Sequence, residues 1–377
     1  MRLADVTAFL DEIYPPSLAE AWDSVGLISG DPDQPVRRIH LALDPTKQTL
    51  HEAIGLGADL LLTHHPLLLK GASQIPATTS KGRILRAAIK ADCALFNAHT
   101  NADRARNGVN DALADSLGLL DTTPLVPAQE LRLEKVVTFV PHADASKMID
   151  ALADAGAGEL GDYSRCAFLT IGTGTFTPGD RAHPTIGRRG EPEVVGETRI
   201  EMVLAPNRRR AVIEALRAAH PYEEPAFDLL AMAPIATDQG LGRVGALASP
   251  MAFGDFCRHV ADALPKAPVG VRGAGDPART IRRVAVLGGA GDGNLADAVR
   301  AGVDAYVTAD LRHHPVSEHL ADGGPALVDA GHWATEATWL PLAARLLRER
   351  FGDDLECSVS ALPTDPWTVS AGHDSVR

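Results

Sequence analysis

Cysteine is scarce in this chain. Four thiols in 377 residues, Cys93, Cys166, Cys257 and Cys357, lie far apart and form no C-x-x-C pair. That spacing argues against a zinc knuckle and suits a reducing cytoplasm. Long apolar runs are missing as well, and no stretch approaches the roughly 20 residues a membrane span needs. The N-terminal "MRLADVTAFLDEIYPP" has acids within its apolar periodicity and neither a basic leader nor a small-residue cleavage site. It reads as an amphipathic helix stopped by Pro15 and Pro16, not as a signal peptide. Positive charge is short too. A formal charge of −13 disfavours broad nucleic-acid binding, which needs a basic face. There is no Gly-x-Ser-x-Gly elbow and no cysteine in a nucleophile motif. "GGAGDG" (288–293) lacks the Lys-Ser/Thr of a P-loop and the spacing of a dinucleotide fingerprint, so a tight strand-to-helix turn is its expected role.

What remains is ordinary in bulk, with 45% hydrophobic and 23% charged residues, and long enough for two or three domains. Strand-like runs alternate with helical patterns. "RRIHLAL" (37–43), a helix near 46–57, "DLLLT" (59–63), a helix near 80–91 and "CALFNAHT" (93–100) predict an α/β fold with a largely parallel sheet.

The pattern then repeats. Residues 37–63 align without a gap on 282–308, with seven identities in 27 positions. "HHP" follows Thr63 directly and recurs after Thr308 with four residues between. "ALFNAHTNAD" (94–103) resembles "ALVDAGHWATE" (326–336), so that His99 with Asp103 matches His332 with Glu336. This predicts two pseudo-symmetric α/β halves, residues 1–128 and 237–377, forming one metal-binding unit. Residues 129–236 differ. Their β-α-β-β-α-β order is the ferredoxin-like signature of an inserted α+β domain, with "TPGDRAHPTIGRRGEPEVVG" (177–196) as an exposed hairpin loop.

His64 and His65 close one expected strand, His99 and Asp103 follow another, and His332 and Glu336 follow a third. Ligands collect outside the carboxyl ends of strands in open α/β sheets. Halves that face each other would bring these groups to one cleft. Each element alone has a bland explanation: a His pair caps a loop, and a His-x-x-x-acid spacing makes an i,i+4 contact. The three together point to metal. Imidazole and carboxylate without thiolate suit zinc, iron, manganese, cobalt or nickel. Adjacent histidines cannot easily chelate one ion but can serve neighbouring ions, which a carboxylate can bridge.

"WDSVGL" (22–27), "THHPLLLKG" (63–71), "HTNADRARNGVND" (99–111), "HPYEEP" (220–225), "VAVLGGAGD" (284–292), "TADLRHH" (308–314) and "DAGHWATE" (329–336) resemble the NGG-interacting-factor-like dinuclear metal centre family, GTP cyclohydrolase 1 type 2 homologues. The resemblance runs from the N-terminal helix to about Ser360. It implies two divalent transition-metal ions per chain on His64, His65, Asp103, His332 and Glu336, with Glu336 bridging. His99, His314, Asp44 and Asp310 become candidates to orient ligands or contact substrate. Ala309 stands where relatives tend to have Gly. The resemblance further implies a PII/CutA-like insert and a toroidal homohexamer with its metal sites facing an internal cavity. Two functions compete: a metal-dependent hydrolase acting on a nucleotide-like or phosphorylated small molecule, and a non-enzymatic metal-binding regulatory or delivery protein acting through protein partners.

Overall fold

The computed structural model describes residues 1–128, 133–233 and 237–371. The expected edges of the insert, at 129–132 and 234–236, lie outside the described residues. Contacts divide the chain into two units, Met1–Ala128 with Asp238–Arg377, and Gln129–Thr237.

In the first unit, the apolar runs become two sheets. One contains β1 (Gly26–Ser29), β2 (Arg38–Ala42), β3 (Leu60–Thr63), β4 (Ala94–Asn97) and β15 (Glu356–Val359), in the order β1-β4-β3-β2-β15. All four residues of β3 and of β4 are buried, the pattern of parallel strands covered on both faces. The other sheet contains β5 (Leu119–Pro127), β10 (Gly240–Ala252), β11 (Arg272–Ala274), β12 (Thr280–Ala290), β13 (Ala305–Ala309) and β14 (Ala326–Asp329), in the order β11-β14-β13-β12-β10-β5. The first sheet has four parallel strands, β15, β2, β3 and β4, and the second has three, β12, β13 and β14; a short antiparallel strand closes one edge of each, β1 on β4 and β11 on β14.

A shared local device fixes where the first parallel strand begins. Asp59 Oδ2 accepts from the amides of Arg37 and Arg38 at 2.7 and 2.9 Å. Asp304 Oδ2 accepts from Arg282 and Arg283, both at 2.9 Å. Helices cover the sheets with the faces their periodicity predicts. Leu3, Val6 and Leu10 of the helix Leu3–Ile13 join Ile39, Leu41, Leu60 and Leu62 and the helix Trp339–Phe351 in one core. On the opposite face of that sheet, the helices Lys47–Gly55 and Ser80–Lys90 contribute Leu50, Ile84 and Ala88 against Leu61 and Leu95. In the second sheet, Val284, Val286, Val307 and Val328 pack with Phe253, Phe256 and Val260 of the helix Phe253–Ala263. Among the described residues, no helix is long and apolar enough to cross a membrane.

The second unit has β6 (Glu134–Pro141), β7 (Phe168–Phe176), β8 (Glu193–Leu204) and β9 (Phe227–Ala231) in an antiparallel sheet of order β7-β8-β6-β9. The helices Ala145–Asp154 and Arg209–Ala219 pack on one face around Met148, Leu152, Ile200, Val212 and Leu216.

Candidate metal centre

Four histidines meet in the first unit because strand ends bring them there. β3 stops at Thr63, so His64 and His65 stand at its carboxyl end. β4 ends two residues before His99, which leads into the short helix Thr100–Arg104 carrying Asp103. β14 ends at Asp329, and Gly331, at φ 82°, turns the chain into the helix His332–Glu336. The His64 ring lies 5.0 Å from His65 and 5.2 Å from His99, and His65 lies 5.4 Å from His332, between centroids.

Each imidazole is held by its Nδ1. His64 Nδ1 donates to Ala98 O at 2.8 Å, His65 Nδ1 to Asp44 at 2.7 Å, His99 Nδ1 to Asp23 at 2.9 Å and His332 Nδ1 to Asp310 at 2.7 Å. The tautomer follows: with the proton on Nδ1, the lone pair of each Nε2 is free to ligate. Three of these Nε2 atoms surround Glu336. His65 Nε2 is 3.1 Å from Oε2, His332 Nε2 3.2 Å from Oε1, and His64 Nε2 3.6 Å from Oε1 and 3.7 Å from Asp103 Oδ1. Among the described residues, five buried side-chain polar atoms lack a hydrogen-bond partner, and three are here: His64 Nε2, Asp103 Oδ1 and Glu336 Oε2. Leaving a buried polar atom unpaired costs on the order of 1–3 kcal/mol. All three belong to one cluster, and an arrangement in which an imidazole lone pair faces carboxylate oxygens fits the donor set of a metal ion.

Electrostatics agree. Burial opposes charge on His65, yet Glu336 and Asp44 beside it push its pKa up to about 11. His332 is likewise opposed by burial and raised to about 9, by Glu336 and Asp310. Burial pushes Asp103 up to about 6, with His64 opposing. Burial favours the neutral form of Glu336, but His65, His64 and His332 hold it well below the usual carboxylate range. The cluster thus stores positive charge as protons that a metal ion would replace. Two donor groups have ligand atoms within 4.8 Å of one another: His64, His65 and His99, and His65, His332 and Glu336.

Of the residues picked from sequence, His64, His65, His99, Asp103, His332 and Glu336 come together, with Asp44 and Asp310 directly behind them. Asp310 takes φ 56°, a left-handed conformation that Asp tolerates better than most residues. His314 does not join: it is exposed in the helix His313–Ala321, its ring against His313 at 5.1 Å.

Three contributors were missed. Asp23, in "WDSVGL", holds His99 and also accepts from the Thr100 amide at 3.1 Å. Asn110, buried, donates to Asp103 O at 2.8 Å and accepts from Gly288 N at 2.9 Å, tying the two halves of the site together. Gly289, at φ 71°, lies so close to the site that an added Cβ would stand 2.2 Å from Glu336 Oε1 and 3.1 Å from His332 Nε2. Gly289 of "GGAGDG" therefore makes room for the Glu336 carboxylate, a role its reading as a turn did not include.

The family model for Duf34/NIF3 (NGG1p interacting factor 3) matches residues 1–366. A Mycobacterium tuberculosis protein named "GTP cyclohydrolase 1 type 2 homolog" is 47% identical over 378 residues, covering 100% of this chain and 99% of that one. Among solved structures, a Bacillus cereus protein related to NIF3 is similar at 36% identity and a TM-score of 0.70. Staphylococcus aureus protein SA1388 is similar at 30% identity and 0.78. Each covers 98% of this chain and 99% of its own. On this full-length agreement of sequence and fold, the chain belongs to the Duf34/NIF3 family.

Proposed function

We propose that the first unit holds two divalent transition-metal ions on His64, His65, Asp103, His332 and Glu336, with Glu336 as the bridge, and hydrolyses a nucleotide-like or phosphorylated small molecule. The observation that carries this reading is the convergence of buried, unpartnered His64 Nε2, Asp103 Oδ1 and Glu336 Oε2. The donor set is imidazole and carboxylate, which suits zinc, iron, manganese, cobalt or nickel. Such ions, when bound, supply Lewis acidity and a lowered pKa for water. The chain's own residues do the rest. Asp44, Asp310 and the Ala98 carbonyl keep the imidazoles facing inward, and Glu336 offers one oxygen to each side. His99, oriented by Asp23, presents Nε2 where it can accept a proton from a reacting group. Five protein ligands spread over two ions leave positions for water and substrate, which favours catalysis over a closed structural site.

The surrounding architecture is part of the same reading. Matching strand orders and the Asp59 and Asp304 anchors support two pseudo-symmetric halves. The strand order of the second unit supports a ferredoxin-like, PII/CutA-like insert. We extend the reading to a homohexamer, which the family resemblance implies, in the cytoplasm, which the widely spaced cysteines suit.

The test is metal content by plasma mass spectrometry, on protein purified without chelator or His-tag, beside Glu336→Ala. About two ions per chain, lost in the variant, with turnover of a phosphate ester or nucleotide that vanishes alongside, supports the proposal. Metal without turnover, in a site closed by protein ligands, would favour the regulatory or delivery role. Absence of metal after incubation with zinc, manganese or iron would refute both.

A further inference from the structure

The second unit contains a cavity that the metal chemistry does not use. Its origin is legible in "GTGTF" (172–176). The cross-strand register sets Thr170 opposite Arg199 and Gly172 opposite Glu197. The helices cover the other face of this sheet, where Ile200 and Met202 lie. Gly172 and Gly174 thus leave the uncovered face without side chains where a β-strand normally carries them. Glu197 exploits one gap: a Cβ on Gly174 would stand 2.0 Å from its Oε2. The other gap stays open, since a Cβ on Gly172 would meet nothing within 4 Å.

Above this floor, the 177–192 loop and the "HPYEEP" turn enclose about 600 Å³. The turn is pinned by His220, whose Nε2 donates to Phe139 O at 3.0 Å while Nδ1 accepts from the Tyr222 amide at 3.1 Å. Phe139, Phe176, Ile186 and Tyr222 give the cavity apolar walls, and the Phe176 and Tyr222 rings lie 5.8 Å apart. A volume of this size, with aromatic walls and polar groups converging on it, is the ordinary form of a small-molecule site.

Its charge selects the ligand. The lining holds three carboxylates, half-buried Glu197 and, at the exposed rim, Glu224 and Glu223, which accepts from the His183 amide at 2.8 Å, against one guanidinium, Arg199. Arg199 is already paired with Glu201 at 3.0 Å. Among the described residues, no cation pairs with the three carboxylates. The Tyr222 hydroxyl donates to Glu197 Oε1 at 2.8 Å, and burial together with Glu197 raises its pKa, so it stays a donor. Unbalanced carboxylates beside aromatic faces attract organic cations and repel anions.

We propose that this cavity binds a small organic cation, a protonated amine or quaternary ammonium on an aromatic or aliphatic body, with Glu197 as its counter-ion. The test is isothermal titration of the full chain with benzyltrimethylammonium chloride, with phenylacetate and calcium chloride as comparisons. The expected result is saturable one-to-one binding of the ammonium alone. Glu197→Gln should weaken it by about tenfold, the size of one lost charge-assisted contact. Gly172→Leu should abolish binding while leaving circular dichroism and Tm unchanged, because the new side chain enters empty space. Four results would each overturn the proposal. They are no heat at about 10 mM ammonium, equal binding of phenylacetate, binding of calcium in its place, and unchanged affinity in Gly172→Leu.

Discussion

Replacing Gly289 with Ala should empty the metal centre. Two costs arise, and the structure separates them. The first is backbone strain: at φ 71°, an Ala pays about 1–2 kcal/mol to remain left-handed. The second is collision. The new Cβ would sit 2.2 Å from Glu336 Oε1, where ordinary contact begins near 3.4 Å, so relief needs a shift of about 1.2 Å. The backbone cannot supply it readily. Gly289 N donates to Thr335 Oγ1 and Gly289 O accepts from Thr308 Oγ1, both at 3.0 Å and both buried. The Glu336 carboxylate must therefore move, by several times the roughly 0.2 Å tolerance of a metal–ligand distance.

Gly302 provides the control. It has φ 63°, and an added Cβ there meets nothing within 4 Å, so Gly302→Ala imposes the strain without the collision. The assay is metal content by plasma mass spectrometry, with Tm measured on metal-free protein. Gly302→Ala should lose about 1–2 kcal/mol of stability and keep the metal, and Gly289→Ala should lose at least as much stability and the metal as well. Full metal retention in Gly289→Ala, or equal loss in Gly302→Ala, would refute the placement of Glu336 as bridge.

Further outcomes follow from the groups behind the ligands. Asp310→Asn keeps a residue that tolerates φ 56° but removes the carboxylate from His332 Nδ1; metal affinity by chelator competition should fall by about 10–100-fold. Asn110→Ala leaves the buried Gly288 amide without its acceptor, costing about 2 kcal/mol, or a Tm drop on the order of 5 °C by calorimetry. Arg243→Ala strips Asp111 of a guanidinium that is 2% exposed and that also donates to the carbonyls of Ala105, Gly240 and Gly242. Denaturant unfolding should show a loss of about 3–5 kcal/mol, and a change under 1 kcal/mol would contradict this account of the pair.

The clustered residues were legible in the sequence because each histidine follows a strand, and His99 and His332 each bring an acid at a helical spacing. His332 with Glu336 and His99 with Asp103 declare themselves through local periodicity, as do the buried runs that became β3 and β4. Asp23 and Asn110 do not. Asp23 reaches His99 across 76 positions, and Asn110 reaches Gly288 across 178, distances over which no pattern in one chain connects residues. His314 failed for the converse reason. Its "HHP" copy begins five positions after Thr308, where the first copy follows Thr63 at once, and the offset carries it into the exposed helix His313–Ala321.

Gly289 lies between these cases and shows what a motif can hide. A glycine cluster after a strand is usually read for what its amides could hold, and by that measure "GGAGDG" held nothing. The structure instead assigns its value to an absent side chain: Gly289 is positioned by Thr308 and Thr335 so that Glu336 can lie against bare backbone. Gly174 does the same for Glu197 in the second unit. In both, a glycine on a strand admits a carboxylate that a larger residue would displace. A glycine in a strand is therefore a reason to look for the side chain occupying its space, and here the two searches end at the candidate metal centre and at the cavity of the second unit.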